Sequence, residues 1–152
     1  MKLVVQVCSE ASVEVDGKIV GAIGNGASVL VGVGQDDTEE LADRMVRKLL
    51  ALRIYPDANG KTNLSLADTE GSLLVISQFT LYADARKGNR PSFVKAGAPD
   101  KAEALYEYII GKCREAGIRT EHGVFGAEMR IWLTNEGPFT MILDSEELFA
   151  KK

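Results

Sequence analysis

The sequence predicts an α+β fold in a single domain, with a mainly antiparallel β-sheet or partial barrel and two helices packed on it. Many short apolar segments are bounded by Gly, Pro, Asn and Asp, which is typical of strands separated by turns. Two longer segments instead repeat apolar residues at helical spacing. The strands and helices do not alternate as they would in a parallel βαβ sheet. A length of 152 residues also fits one domain.

The first third of the chain predicts four strand segments and one helix. The strand segments are Leu3–Cys8, Val13–Val15, Lys18–Ile23 and Ala27–Val33. Asp16-Gly17 lies between two of them and predicts a tight hairpin turn. The helix is expected to be capped by Asp37 or Thr38, whose side chains suit that position, and to end at about Arg53.

The remaining chain predicts a second helix and further strands. The strands are a short one that ends at Pro56, then Lys61–Leu66, Ser72–Tyr82, Ile118–Glu121, Met129–Thr134 and Phe139–Leu143. Pro99-Asp100 opens the second helix, and Gly117 suits the position after its end. We expect residues 1–145 to form the domain and residues 146–152 to form a charged C-terminal tail.

One long segment, residues 83–99, shows no clear periodicity. It carries Arg86, Lys87 and Arg90. Because long irregular loops inside small domains are usually functional or mobile, this segment is a candidate binding element.

Composition excludes several classes of function. The net charge is −4, which argues against a basic surface that wraps DNA. One His and two Cys are too few for a His-rich or four-cysteine metal site, so we expect no metal and no cofactor. No segment suits a signal peptide or a membrane span, which predicts a cytoplasmic protein without a membrane partner. In a reducing compartment Cys8 and Cys113 are expected to be buried free thiols.

Common catalytic motifs are absent. Gly60-Lys61-Thr62 resembles the end of a phosphate-binding loop, but Tyr55 stands where that motif needs Gly. No G-x-S-x-G sequence occurs, and any charge-relay triad would have to use His122, which lies at a predicted strand end. From the residues alone, the chain is an α+β domain that could bind a ligand at its long loop.

Two segments resemble the signature motifs of the D-aminoacyl-tRNA deacylase family. The first is Ser77–Leu81, which is followed by the basic segment and Arg90–Phe93. The second is Asn135–Thr140, which contains Gly137-Pro138. The similarity extends to Ser9–Val13, Asn63–Ser65 and Phe125–Met129, and it covers the chain from Met1 to about Ser145. The intact first motif argues against a paralogous branch of the family in which that motif is altered and the Gly-Pro bond is trans.

This resemblance implies an editing hydrolase that cleaves the ester of D-aminoacyl-tRNA and also glycyl-tRNA mischarged on tRNA-Ala. The family acts as a homodimer on the aminoacylated 3′ end of tRNA. A cis Gly-Pro dipeptide, here Gly137-Pro138, enters the neighbouring subunit's pocket and excludes L-amino acids. The 2′-hydroxyl of the tRNA assists the attack of water.

The resemblance also implies roles for individual residues. Phe79 and Thr80 are the candidate catalytic residues, through backbone N–H groups that stabilise the oxyanion. The candidate substrate-binding residues are Ser77, Gln78, Phe125, Met129, Gly137 and Pro138. Terminal phosphates of the tRNA are candidate partners of the basic residues in the long loop.

Some alternatives stay open. The chain could be a dimeric binding module that keeps the pocket without turnover, or an esterase that uses Thr80 as its nucleophile. One position departs from the family pattern: Val7 follows Gln6 where the family usually has an Arg that braces the Gly-Pro motif. The departure implies a less firmly braced motif.

Overall fold

A six-stranded mixed sheet forms the centre of the fold in the computed structural model, which describes residues 1–151. Its strands are β1 (Lys2–Val15), β2 (Lys18–Ile23), β3 (Gly26–Gly32), β6 (Ser72–Ser77), β7 (Thr120–His122) and β8 (Arg130–Asp144). A small hairpin of β4 (Tyr55–Pro56) and β5 (Thr62–Leu64) lies outside that sheet. The order is β2-β1-β3-β6-β7, and β8 also pairs with β1.

The α+β class is confirmed, and three of the five strand pairings in the sheet are antiparallel, but the sheet as a whole is mixed. Strands β1, β2, β3 and β8 pair antiparallel, whereas β3, β6 and β7 run parallel. Parallel neighbours need a crossover connection, and the two long helices supply the crossovers. The prediction missed this alternation because the β4–β5 hairpin and the long loop separate each helix from the strand beside it in the sequence.

Two long helices and one short helix pack with the sheet. They are α1 (Glu39–Ala51), α2 (Pro99–Glu115) and α3 (Ser145–Leu148). Thr38 caps α1, since its hydroxyl accepts the Leu41 N–H. The short α3 opens the segment that was predicted to be a charged tail, of which Lys152 lies outside the described residues.

Three predicted strand boundaries were wrong. The strand predicted over Ser72–Tyr82 ends at Ser77, and Phe79–Tyr82 turn into a short 3-10 helix. Two pairs of predicted strands are each one long strand, β1 and β8. Long strands were missed because irregular pairing near Cys8 interrupts the alternation of buried and exposed residues, leaving Val7 and Cys8 both buried.

Apolar side chains on the two faces of the sheet form two cores. Along β6, Leu73 and Val75 join the larger core under the helices, while Leu74 and Ile76 join the smaller core on the other face. The sheet curls so far that β2 meets β7, where a side chain at Gly21 would come 2.8 Å from the His122 carbonyl oxygen. This curl makes a nearly closed barrel. Both cysteines are buried and free, as predicted.

Candidate functional site

A cavity of about 720 Å³ opens beside the carboxyl end of β6. Its walls come from Val33, from residues 76–79 at the end of β6, from six of residues 93–102 at the end of the long loop and the start of α2, and from five of residues 125–131 before and at the start of β8. None of the side chains that line it is ionisable. The site is therefore apolar and aromatic, with backbone groups and two small polar side chains as its hydrogen-bonding partners.

The end of β6 places the first group of predicted residues. The Gln78 N–H donates to the Val31 carbonyl oxygen at 2.8 Å, which holds this corner against β3. The Leu81 N–H then donates to the Gln78 carbonyl oxygen at 3.3 Å and closes the 3-10 turn. As a result Ser77, Gln78 and Phe79 line the cavity, and the Phe79 ring is 54% exposed.

The turn also leaves two backbone donors free. Phe79 and Thr80 are the first two residues of the turn. The N–H groups at the start of a helix have no acceptor within the helix. Within residues 1–151, neither N–H donates to a protein acceptor. Both are thus available to an oxygen atom of a bound ligand.

Thr80 itself does not line the cavity. Its hydroxyl oxygen accepts a hydrogen bond from Gln78 Nε2 at 2.6 Å, and the residue is exposed. The one histidine is elsewhere: His122 Nδ1 lies 2.6 Å from the Gly123 carbonyl oxygen, and His122 does not line the cavity. The structure therefore does not place a histidine base beside the Thr80 hydroxyl.

Phe125 and Met129 form the opposite wall, as part of the same cavity as Ser77, Gln78 and Phe79. The Phe125 ring centroid lies 6.0 Å from that of Tyr106 on α2. The Tyr106 hydroxyl donates to the buried Val75 carbonyl oxygen at 2.7 Å, and burial raises the pKa of that hydroxyl. A neutral, hydrogen-bonded tyrosine thus fixes the ring on which Phe125 rests.

Sequence reasoning did not select Phe93 or the residues before α2 as site residues. The Phe93 ring meets the Phe79 ring edge to face, with centroids 5.0 Å apart and planes at 72°. Backbone bridges between Asp84 and Ser92 and between Gly34 and Ala96 pin the loop on both sides of Phe93. The segment Arg90–Phe93 could have pointed to Phe93, because it belongs to the motif region. Phe93 was passed over because a phenylalanine ring carries no chemically reactive group.

The Gly137-Pro138 pair lies on β8 and does not line the cavity of its own chain. The peptide bond between them is cis, and both residues are exposed. Asn135 holds the segment, since its Nδ2 donates to the Val7 and Phe139 carbonyl oxygens at 2.9 Å each. Gly137 has φ +122°, a conformation that favours glycine.

Distance along the strand keeps this pair away from its own cavity. Ile131 on β8 lines the cavity, and Gly137 follows six residues later on the same strand. At the rise of an extended strand, six residues span at most about 20 Å, and the irregular pairing between Asn135 and Thr140 shortens this span. The structure thus brings five predicted residues together at the cavity and leaves Thr80, Gly137 and Pro138 outside its lining.

The basic residues of the long loop lie outside the cavity too. Arg86 pairs with Asp84, and Lys87 and Arg90 are exposed. In residues 1–151, no cluster of three or more His, Cys, Asp or Glu could hold a metal ion. None of the helices in that part of the chain is long and apolar enough to cross a lipid bilayer.

The fold and the site define a class of small α+β proteins with an uncharged, partly aromatic cavity beside free backbone N–H groups. The family model described as D-Tyr-tRNA(Tyr) deacylase matches residues 4–144. The chain belongs to this family, which confirms the resemblance found in its motifs.

Curated relatives agree over nearly the whole chain. A D-aminoacyl-tRNA deacylase of Anaeromyxobacter dehalogenans is 53% identical, with 98% of this chain and 100% of that protein covered. The protein of the same name from Thermosipho melanesiensis is 51% identical over 98% of this chain and 100% of its own length.

Solved structures share the fold. A structure described as c-Myc DNA Unwinding Element Binding Protein has a TM-score of 0.89 and 39% identity, over 95% of this chain and 98% of that one. A probable eukaryotic D-amino acid tRNA deacylase has a TM-score of 0.84 over 93% of this chain and 97% of its own, and at 22% identity it supports the fold alone.

Proposed function

We propose that this protein hydrolyses the ester between a D-amino acid and the 3′-terminal adenosine of tRNA. Water attacks the ester carbonyl carbon, the bond from that carbon to the ribose oxygen breaks, and the ribose oxygen takes a proton. The products are the free D-amino acid and uncharged tRNA. The observation that carries the proposal is the cavity, which is lined by the first three residues of the first motif, Ser77–Phe79, together with Phe125 and Met129.

The chemistry rests on backbone donors and on the substrate. The free N–H groups of Phe79 and Thr80 point to an oxyanion site for the tetrahedral intermediate. The resemblance to the family implies that the 2′-hydroxyl of the terminal ribose assists water, and a cavity lined by no ionisable side chain fits that role. Thr80 acts as a positioning residue, since its hydroxyl is bonded to Gln78 and lies outside the cavity lining.

The proposal extends to a homodimer in which Gly137-Pro138 of one chain completes the cavity of the other. Two observations support it. The pair is exposed and follows Ile131, the last residue of β8 that lines the cavity of the same chain, by six residues. The outer face of β8 exposes Trp132 at 51% and Ile142 at 69%. Exposed apolar side chains of this size on one strand face are typical of an interface. Sedimentation equilibrium is expected to give twice the mass of one chain.

Selectivity would follow from the backbone at this junction. Carbonyl groups beside Gly137-Pro138 bind the ammonium group of the amino acid and occupy the side where an L side chain would project. Glycine has no side chain to exclude, so glycyl-tRNA, including tRNA-Ala mischarged with glycine, is a further substrate. We propose that this editing takes place in the cytoplasm, without cofactor, metal or membrane.

The decisive assay compares tRNA charged with D-Tyr, L-Tyr and Gly. We expect rapid hydrolysis of the D-Tyr and Gly esters and little hydrolysis of the L-Tyr ester. Phe79→Ala removes a ring from the cavity wall and should lower kcat/KM on D-Tyr-tRNA. Val94→Ala is a matched control, because Val94 lies in the adjacent loop, is 74% exposed and does not line the cavity. Equal rates on the D and L esters would rule out chiral rejection.

Two other functions are outcomes of the same experiments. A binding module would bind D-Tyr-tRNA and release no amino acid. The relative described as a DNA unwinding element binding protein makes DNA a second ligand to test. We propose that DNA is not the partner, because DNA has neither the aminoacyl ester nor the 2′-hydroxyl that the proposed reaction uses. DNA binding as tight as tRNA binding would contradict this.

A further inference from the structure

A second cleft of about 500 Å³ lies next to the cavity. It is lined by Lys2, by residues 82–86 and by Lys95. The two sites are lined by neighbouring residues of the chain, because Phe79 and Tyr82 are the two ends of one 3-10 turn of four residues, and Lys95 directly precedes the cavity residue Ala96. With a rise of about 2 Å per residue, that turn separates the sites by roughly 6 Å. We call this second site the basic cleft.

The charge of the basic cleft is opposite to that of the molecule. The residues that line it include three basic side chains, Lys2, Arg86 and Lys95, and one acidic side chain, Asp84, a net charge of +2, whereas the whole chain carries −4. The rest of the chain therefore carries −6. Such a separation of charge favours an anionic ligand at one place on the surface.

Arg86 is held in one orientation within the basic cleft. Its Nε donates to Asp84 Oδ1 at 2.9 Å and its Nη2 donates to Asp84 Oδ2 at 2.5 Å. A guanidinium has five N–H groups, so three remain free after these two bonds. The Arg86 guanidinium also keeps the pKa of Asp84 well below its usual range, so the pair stays ionised.

The two lysines complete the cleft. Within residues 1–151, Lys95 forms no ion pair with a carboxylate. Lys2 Nζ lies 5.3 Å from the centre of the Tyr82 ring and 3.5 Å from Asp144 Oδ2, which places its ammonium at the edge of the cleft. The cleft thus offers the Lys95 ammonium and three free guanidinium N–H groups of Arg86, with the Lys2 ammonium, paired with Asp144, at its edge.

We propose that the basic cleft binds the phosphodiester next to the terminal adenosine of the RNA substrate. The proposal rests on the proposed function, which places that adenosine in the cavity. A phosphate oxygen accepts hydrogen bonds from guanidinium and ammonium groups, and the phosphodiester of the neighbouring nucleotide reaches the cleft past the 3-10 turn that lies between the two sites. Of the basic residues in the long loop, Arg86 and Lys95 are then the ones that contact the substrate.

The test compares two substrates, D-Tyr-tRNA and D-tyrosyl-adenosine, which has the same ester but no phosphate. For Lys95→Gln we expect kcat/KM on D-Tyr-tRNA to fall about tenfold at low salt, mainly through KM. The slope of log kcat/KM against log salt should become shallower by about one. On D-tyrosyl-adenosine the rate should stay unchanged. Lys95→Arg should restore most of the loss.

Lys48→Gln is the matched control, because Lys48 is an exposed lysine on α1 that lines neither site. It makes the same change of charge and should alter neither substrate's kinetics. Equal loss on both substrates after Lys95→Gln, or an unchanged salt slope, would overturn the proposal. Failure of the proposed function looks different, since the wild-type chain would then hydrolyse neither ester.

Discussion

At the scale of single residues, the contacts of the Thr80 hydroxyl distinguish two mechanisms, one in which Thr80 is the nucleophile and one in which it positions Gln78. Its oxygen already accepts a hydrogen bond from Gln78 at 2.6 Å, and the cavity lining holds no basic side chain. A threonine nucleophile needs an adjacent base to take its proton. The same hydroxyl can fix the Gln78 side chain at the rim of the cavity without any proton transfer. The contact therefore favours positioning over covalent catalysis.

Replacing Thr80 tests this directly. For Thr80→Ala we expect kcat on D-Tyr-tRNA to fall by no more than about tenfold, because one hydrogen bond is worth roughly 1 kcal/mol. Loss of a true nucleophile costs on the order of a million-fold. Thr80→Ser keeps the hydroxyl and should restore the rate if positioning is its role. Burst kinetics with an acyl-enzyme intermediate on the wild type would contradict the prediction.

At the scale of elements, local signals predicted some parts of the fold and missed others. Asp16-Gly17 predicted the β1–β2 hairpin, and the structure shows both residues with the positive φ that this turn needs. The apolar repeats of α1 and α2 likewise predicted those helices. The parallel pairing of β3, β6 and β7 had no local signal, because it depends on contacts between segments far apart in the sequence.

The candidate site shows the same division. Motif resemblance selected Ser77, Gln78 and Phe125, which the fold places in one cavity, and their roles stay predictions. It did not select Phe93, since a lone aromatic residue in a loop has the same local pattern whether it packs on a site or on a core. The turn that begins at Phe79 was also missed, because apolar residues continue beyond the strand end at Ser77.

The most specific element-scale prediction concerns Asn135 on β8. Asn135→Ala removes the donor to the Val7 and Phe139 carbonyl oxygens. Leaving two partly buried acceptors without partners should lower the free energy of unfolding by about 1–3 kcal/mol, measured by urea denaturation. If the segment also excludes L-amino acids, the ratio of D-Tyr to L-Tyr hydrolysis should fall.

Thr134→Ala is the control for that change. Thr134 is the exposed neighbour, and its hydroxyl has one long contact of 3.5 Å with Glu10. Its replacement should change the stability by less than about 0.5 kcal/mol. Equal effects of the two substitutions would show that the Asn135 hydrogen bonds do not hold the segment.

At the scale of the whole molecule, burial predicts how stability depends on alkaline pH. Burial raises the pKa of the Cys113 thiol from 9.0 to about 11, and burial is also the main cause that raises the pKa of Tyr55, Tyr82 and Tyr106. Below pH 9 the thiol is protonated in both the folded and unfolded chain. Between pH 9 and 11 the unfolded chain releases this proton while the folded chain retains it, so stability falls as the pH rises.

We therefore expect the urea midpoint, followed by circular dichroism, to decrease between pH 8.5 and pH 10.5. Cys113→Ala lowers the starting stability by removing a buried side chain, but it should also reduce the dependence on pH. A midpoint that stays constant over this range would contradict the prediction. Native thiols should also resist alkylation at pH 8, because Cys8 and Cys113 are buried.

The uncharged cavity has a consequence for how the gene can change. An enzyme that depends on an acid or a base can lose its activity through one codon substitution. Here no lining side chain carries a titratable proton, and under the proposed mechanism the assisting hydroxyl belongs to every tRNA molecule. A substitution such as Val for Arg at position 7 then weakens the fit between the substrate and its site gradually. It leaves the reactive 2′-hydroxyl of the tRNA intact. Proofreading built this way declines gradually under mutation, which gives selection time to restore it.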